Sequence, residues 1–289
     1  MEQWLFFGKG KMKIKLWGVR GSIPTTGPET EIYGGNTSCV TATHDDFVLV
    51  LDGGTGIRQL TGSNYPSNKR IDVLLTHLHL DHIQGLGFFS PLFDASKEIH
   101  IWGPASSSQS LFSRLSRYLS PPLFPVLLRD LPCKLHLHEI GNSNFEAGPF
   151  RIQSNYIIHP GPTVGYRVMG KNAVFTFIPD HEPALGNNGI IKETKWVSGY
   201  DLAEGADLLL HDSQFTNDEY LHKRGWGHST INDACLFASM AEVKKILLSH
   251  HDPSHSDAFL DEMLESFKKT AGNIPQAALA KEGAEFELE

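Results

Sequence analysis

Apolar runs that end in a polar or glycine-bearing turn recur along the chain and predict strands. Residues 13–17 form the first, ahead of Gly18-Val19-Arg20-Gly21-Ser22. Residues 40–43 and 47–51 predict a hairpin around His44-Asp45-Asp46. Residues 71–76 are apolar apart from Asp72, the mark of a buried central strand. Further strands are expected at 98–102, 134–140, 150–158, 163–169, 173–179, 206–210 and 245–249. Helical spacing places helices at 106–118, 230–243 and 257–270. In the first, Leu111, Leu115 and Tyr118 fall near one face, and Pro121-Pro122 ends the run. Ser229-Thr230 and Asp233 suit the start of the second. The strands are too many for one doubly wound sheet, and helices interrupt them. The pattern predicts an α/β fold of two sheets with helices outside, a four-layer sandwich.

Composition narrows the picture only modestly. The three cysteines, Cys39, Cys133 and Cys235, are dispersed and odd in number, so no disulfide scaffold or thiolate cluster is expected. Residues 1–10 lack an apolar core of signal length, and no later stretch reaches membrane-spanning length without charge. A cytoplasmic protein without a membrane partner is the expectation. Residues 1–11 read as a loose arm ahead of one domain over residues 12–289. The formal charge of -8 gives no reason to expect long nucleic acid as a partner.

Histidine changes the picture. The run Thr76-His77-Leu78-His79-Leu80-Asp81-His82 directly follows an apolar strand. His77 and His79 point the same way on an extended backbone, while Asp81 and His82 open a new turn. Three more polar residues close apolar runs: His159 after Tyr156-Ile157-Ile158, Asp180 after Phe177-Ile178-Pro179, and His250 after Leu247-Leu248-Ser249. A carboxylate has two oxygens, so Asp180 is placed to bridge two ions. The expected ligands are His77, His79, His159 and Asp180 for one ion, and Asp81, His82, His250 and Asp180 for the other. His250 is preferred over His251 as the first residue after its strand. Nitrogen-rich, cysteine-free ligation favours Zn2+, with Mn2+ or Fe2+ also admitted. Asp52, beside Gly53 and Gly54, is expected to receive a proton from the distal nitrogen of a ligand histidine.

At these residues the chain resembles the metallo-β-lactamase superfamily. The resemblance runs through Thr76 to His82, then Asp52, His159, Asp180 and His250, and covers nearly the whole chain. It implies that superfamily's αββα sandwich and a two-metal hydrolase. An aspartate at 180 looks like the phosphodiesterase branch. Leu210-His211-Asp212-Ser213-Gln214-Phe215 and Gly227-His228-Ser229-Thr230 resemble segments of the tRNA 3′-processing endonucleases. Carried over, they make His228 the group that protonates the leaving oxygen and Asp212 its orienting partner.

Other segments resemble small-substrate enzymes, the cyclic-nucleotide and phosphoribosyl cyclic-phosphate phosphodiesterases. These are Trp17 to Pro24, Tyr33 to Cys39 and Ser249-His250-His251-Asp252-Pro253. No long basic insertion resembles the arm that grips tRNA. The expected reaction is therefore hydrolysis of a small cyclic phosphodiester, most simply a cyclic nucleotide. Two metals would activate the attacking water, with Asp81 a ligand able to accept its proton. Asn36, Ser38 and Arg167 are expected substrate contacts, and the aromatic segment 112–124 a lid or pocket wall. A tRNA 3′-processing endonuclease or a phosphoribosyl cyclic-phosphate phosphodiesterase is the alternative, and a thioester or lactone hydrolase a further one. A homodimer is the prior for a soluble enzyme of this kind.

Overall fold

The computed structural model describes residues 10–65, 67–185, 189–270 and 276–289. The expected arm at 1–11 lies almost wholly outside the described residues. Strand β1 (Met12–Gly18) is the first strand among the described residues.

The strands form two seven-stranded sheets among the described residues. The first contains β1, β2 (Cys39–His44), β3 (Phe47–Leu51), β4 (Arg70–Leu74), β5 (Glu98–Pro104), β6 (Lys134–Ile140) and, from the far end of the sequence, β14 (Glu285–Leu288). Their order across the sheet is β14-β1-β2-β3-β4-β5-β6. The second contains β7 (Ser143–Ala147), β8 (Phe150–Tyr156), β9 (Val164–Met169), β10 (Val174–Ile178), β11 (Leu208–Asp212), β12 (Lys245–Ser249) and β13 (Gln276–Leu279). Its order is β13-β12-β11-β10-β9-β8-β7.

Two-residue alternation sorts the strand side chains into layers. Phe175 and Phe177 of β10, Leu208 and Leu210 of β11 and Leu247 of β12 turn inward, where they meet Ile14, Leu16, Leu49 and Leu51 of the first sheet. Ile71 and Val73 of β4 and Ile99 and Ile101 of β5 turn outward. There they pack with Ile83 of helix α1 (Leu80–Ile83) and Leu111 and Leu115 of helix α2 (Leu111–Leu115). Ile246 and Leu248 of β12 do the same on the other side. They lie beneath α3 (Tyr200–Ala203), α5 (Ile231–Met240) and α6 (Asp257–Thr270), while α4 (Asn217–Lys223) lies between β11 and α5 in sequence. The result is the expected four-layer sandwich.

The helix expected over 106–118 is cut to five residues. Ser110 caps it by accepting from Ser113 N, but Ser106 Oγ accepts from Ser108 N and holds a local turn instead. Short serine side chains compete for backbone groups in this way. The polar hairpin strand β7, the late strands β13 and β14, and helix α4 carried no apolar run long enough to announce them. Helix α4 is instead fixed by a reciprocal capping box between Thr216 and Glu219.

Parallel pairing of β3, β4 and β5, and of β10, β11 and β12, brings the C-terminal ends of these strands to one edge of the sandwich. Arg20 closes that edge. Its side chain is fully buried and donates to the carbonyls of Gly34, Asp252 and His255. It thereby ties the 20–36 loop to the loop that follows His250. No helix among the described residues is long and apolar enough to cross a membrane. Arg20→Ala leaves those carbonyls unpaired and opens a cavity. The expected cost is about 3–5 kcal/mol, read as a lower urea midpoint at unchanged slope.

Candidate metal centre

Five of the seven expected ligands come from loops that follow strands at this edge, and Asp81 and His82 from the short helix α1. His77 and His79 follow β4, and Asp81 and His82 lie in α1. His159 follows β8, Asp180 follows β10 and His250 follows β12. The structure brings all seven together in two groups, each able to hold a metal ion. One is His77, His79 and His159; the other is Asp81, His82, Asp180 and His250.

Asp180 stands between the two groups. Its Oδ2 lies 3.8 Å from His77 Nε2 and 3.7 Å from His159 Nε2. Its Oδ1 lies 3.1 Å from His82 Nε2 and 3.2 Å from His250 Nδ1. One oxygen thus faces each group, the geometry a bridging carboxylate needs. His82 Nε2 is also 3.3 Å from Asp81 Oδ2, which Ser22 N holds at 2.8 Å.

Surrounding groups engage the other nitrogen of three rings. His82 Nδ1 donates to Asp52 Oδ2 at 2.6 Å, and His159 Nδ1 donates to Gly227 O at 2.8 Å. His77 Nδ1 meets Thr76 Oγ1 at 3.0 Å. Each leaves an Nε2 aimed into the centre. His77 Nε2, His82 Nε2 and Asp180 Oδ1 are shielded from solvent and have no hydrogen-bond partner. Buried polar atoms are rarely left so, and divalent cations among these donors would satisfy all three.

Electrostatics agree with that fit. Burial holds His77 and His250 well below the ordinary imidazole range and His159 at about 3, which keeps these rings neutral and able to ligate. His82 differs: burial opposes its charge, but Asp180, Asp81 and Asp52 outweigh burial and push its pKa up. A cation held among those carboxylates would take the place of that proton, as metal binding at histidine generally requires.

Asp52 organises the shell behind the ligands. It accepts from His82, from Thr76 N at 2.8 Å and from Ser38 Oγ at 3.0 Å. Its own φ of 59° is left-handed. Gly54 permits the tight fit, since a Cβ there would come within 2.3 Å of Asp81 O.

Beyond the ligands lies His228, whose Nδ1 donates to Asp212 Oδ2 at 2.6 Å. Asp212 is fully buried and also accepts from Gln214 N, Ser229 N and His181 N. Burial acts to lower the His228 pKa, but the charge and hydrogen bond of Asp212 outweigh it, with help from Asp180 and Asp81, and raise it to about 9. Cations at Asp180 and Asp81 would cancel the last two contributions and leave that of Asp212. The ring also lies within ligand reach of His159 and Asp180. Glu182 fixes its loop by accepting from Gly225 N and Gly227 N at 2.8 and 2.7 Å, and from Tyr220 Oη at 2.8 Å. Sequence reasoning missed Glu182 and Thr76. Both stand next to, or two residues from, expected ligands at strand ends, which was the available signal.

Three residues expected to touch substrate are engaged elsewhere. Ser38 is buried against Asp52. Asn36 Nδ2 donates to Glu282 Oε1 at 2.7 Å. Arg167 donates to the carbonyls of Leu202 and Glu204, both at 2.8 Å, as a structural cation. His251 turns away from the centre to Ala280 O. The 112–124 segment does line a cleft beside His77 and His79, through Arg114, Arg117, Tyr118 and Leu123. Phe124 instead packs into the outer core.

Residues 48–251 match the β-lactamase superfamily domain. The chain belongs to this superfamily. Within it, Ribonuclease Z of Gemmatimonas aurantiaca is 25% identical over 95% of both chains. Ribonuclease Z of Thermococcus gammatolerans is 26% identical over 74% of this chain and 78% of its own. Two solved structures share the superfamily fold. The metallo-β-lactamase fold protein YhfI of Bacillus subtilis has a TM-score of 0.69 at 21% identity, covering 96% of this chain and 100% of its own. Human tRNase Z, short form, has a TM-score of 0.67 at 19% identity, covering 96% and 99%. The fold and the paired ligand clusters make the chain a metal-dependent hydrolase of the superfamily.

These likenesses correct the expected partner. A small cyclic phosphodiester, with long nucleic acid unlikely, was inferred from net charge and from a resemblance to cyclic-nucleotide phosphodiesterases. The similar curated proteins are instead ribonucleases Z. Net charge misled because charges farther than about 8 Å from a site are largely screened at physiological salt.

Asp52→Ala removes the acceptor that orients His82 while leaving every candidate ligand in place. Affinity for a divalent ion is expected to fall about 10–100-fold, measured by competition with a chromogenic chelator.

Proposed function

We propose that this chain is an endonuclease of the ribonuclease Z kind, cleaving a phosphodiester of RNA at a dinuclear centre. The observation that carries the reading is the pairing of half-buried His228 with fully buried Asp212 beside the two ligand groups. The names of the curated relatives supply the substrate class. The proposed ligands are His77, His79 and His159 for one ion and Asp81, His82 and His250 for the other, with Asp180 between them. Zn2+ is the ion this imidazole-rich, thiolate-free set favours.

When bound, such ions would supply an activated water and neutralise charge on a phosphoryl group. The chain's own residues do the rest. His79 is exposed and His228 half-buried, so the centre opens to solvent on the side where a strand can approach. His228 holds its Nδ1 proton against Asp212, which leaves Nε2 to deliver a proton to the departing oxygen. Asp81 is held by Ser22 N as a ligand rather than as a free base. Arg117 is exposed at the cleft that runs from His77 and His79 past Tyr118. A cation and an aromatic ring there suit a flanking phosphate and its base.

The reading is tested with the zinc-loaded protein on precursor tRNA, an unstructured RNA of equal length and cyclic nucleotides. Precursor tRNA is expected to give the highest kcat/KM, with binding that weakens steeply as salt rises. No cleavage of either RNA by fully loaded protein would sink it. For His228→Ala, kcat is expected to fall about 10²–10⁴-fold at unchanged metal content. The loss should shrink on a nitrophenyl phosphodiester, whose leaving group needs no proton; equal losses on both substrates would remove the general-acid role.

A further inference from the structure

A second cluster of imidazoles lies away from the dinuclear centre, on β5 and the edge strand β6. These strands pair in parallel with Glu98 opposite Lys134, His100 opposite His136 and Trp102 opposite His138. All six side chains therefore share one face. Asp72 pairs with His100 five residues before His77, so roughly 15 Å of strand separates the two places. Nothing in the proposed reaction uses this cluster.

Its geometry is that of a ligand set. Glu98 Oε1 lies 3.2 Å from His100 Nε2 and 3.2 Å from His136 Nε2, and the three groups converge closely enough to share one ion. Two donor atoms bound tetrahedrally at about 2.1 Å to a zinc-type ion lie about 3.4 Å apart, close to both spacings. His136 Nε2 is shielded from solvent and has no hydrogen-bond partner, although its ring is otherwise partly exposed. The far nitrogen of His100 is held as in a metal site: Nδ1 meets His138 Nε2 at 2.9 Å, and His138 in turn stacks on Trp102 at 3.9 Å between centroids. Burial holds His100 below the ordinary imidazole range, which keeps it neutral and able to ligate.

We propose that Glu98, His100 and His136 form a third metal site, for an imidazole-preferring divalent cation of the zinc class, with His138 orienting His100. One protein carboxylate and two imidazoles leave a fourth position for water. The ion bridges β5 and β6 and so pins the outermost strand of the first sheet. Lys134 opposes it, because its Nζ lies 3.3 Å from Glu98 Oε1 and competes for the same carboxylate.

The full chain is stripped with chelator, reloaded with Zn2+, desalted and assayed for zinc per chain. His136→Ala and Glu98→Gln are each expected to hold one ion fewer than the parent, with unchanged hydrolysis of a nitrophenyl phosphodiester. Lys134→Gln removes no ligand and is expected to bind its additional ion several-fold more tightly in chelator competition. Excess Mg2+ is expected not to displace that ion. Parent stoichiometry and affinity retained in His136→Ala and Glu98→Gln would overturn the site, and so would an affinity untouched by Lys134→Gln. Either failure leaves the dinuclear reading standing, because the measured difference is the additional ion alone.

Discussion

A single buried carboxylate holds the ligand edge together. Asp52 sits at the end of β3 in a left-handed backbone conformation and reaches three separate segments. It takes the Thr76 amide at the end of β4, the His82 ring in α1 and the Ser38 hydroxyl before β2. A carboxylate stripped of water is costly to keep unless it is well hydrogen-bonded. Here those bonds are also the ones that orient a ligand ring and start the histidine loop. Scaffold and site therefore share one set of contacts, and neither can shift without the other. Asp212 repeats the arrangement across the cleft. It gathers Gln214 N, Ser229 N and His181 N around the carboxylate that holds His228.

The elements most legible in the sequence were those with a continuous apolar run and a polar stop. That rule located the central strands β4, β10, β11 and β12 and the polar residues that cluster at their ends. It worked because strands buried on both faces have little freedom in composition. It failed where structure rests on partners distant in sequence. Strand β7 alternates exposed and half-buried residues and depends on β8 for its register. Small polar residues near the site were equally opaque. Ser38, Asn36 and Arg167 looked like substrate contacts, yet each ends on a scaffold group. A hydroxyl, amide or guanidinium beside a ligand loop serves to satisfy buried acceptors as readily as to bind a ligand, and only coordinates separate the two.

Charge showed the same limit. A formal total of -8 counts carboxylates without regard to place. Asp52, Asp81, Asp180 and Asp212 are buried, and three of these carboxylates, Asp52, Asp81 and Asp180, face the candidate ligand rings. Their charge belongs to the centre, where bound cations would answer it. The cleft beside His77 and His79 is lined by Arg114, Arg117, Tyr118 and proline. The sign of the whole chain and the sign of its entrance are separate properties.

The last segment of the sequence supplies an edge to both sheets. Residues 276–279 form β13 beside β12, and residues 285–288 form β14 beside β1. Between them, Ala280 O receives His251 and Glu282 receives Asn36. Without residues 276–288, β1 and β12 would each present an unpaired edge. Unpaired edges invite pairing with another chain. One short segment therefore guards an edge of each sheet, and its loss would open both at once.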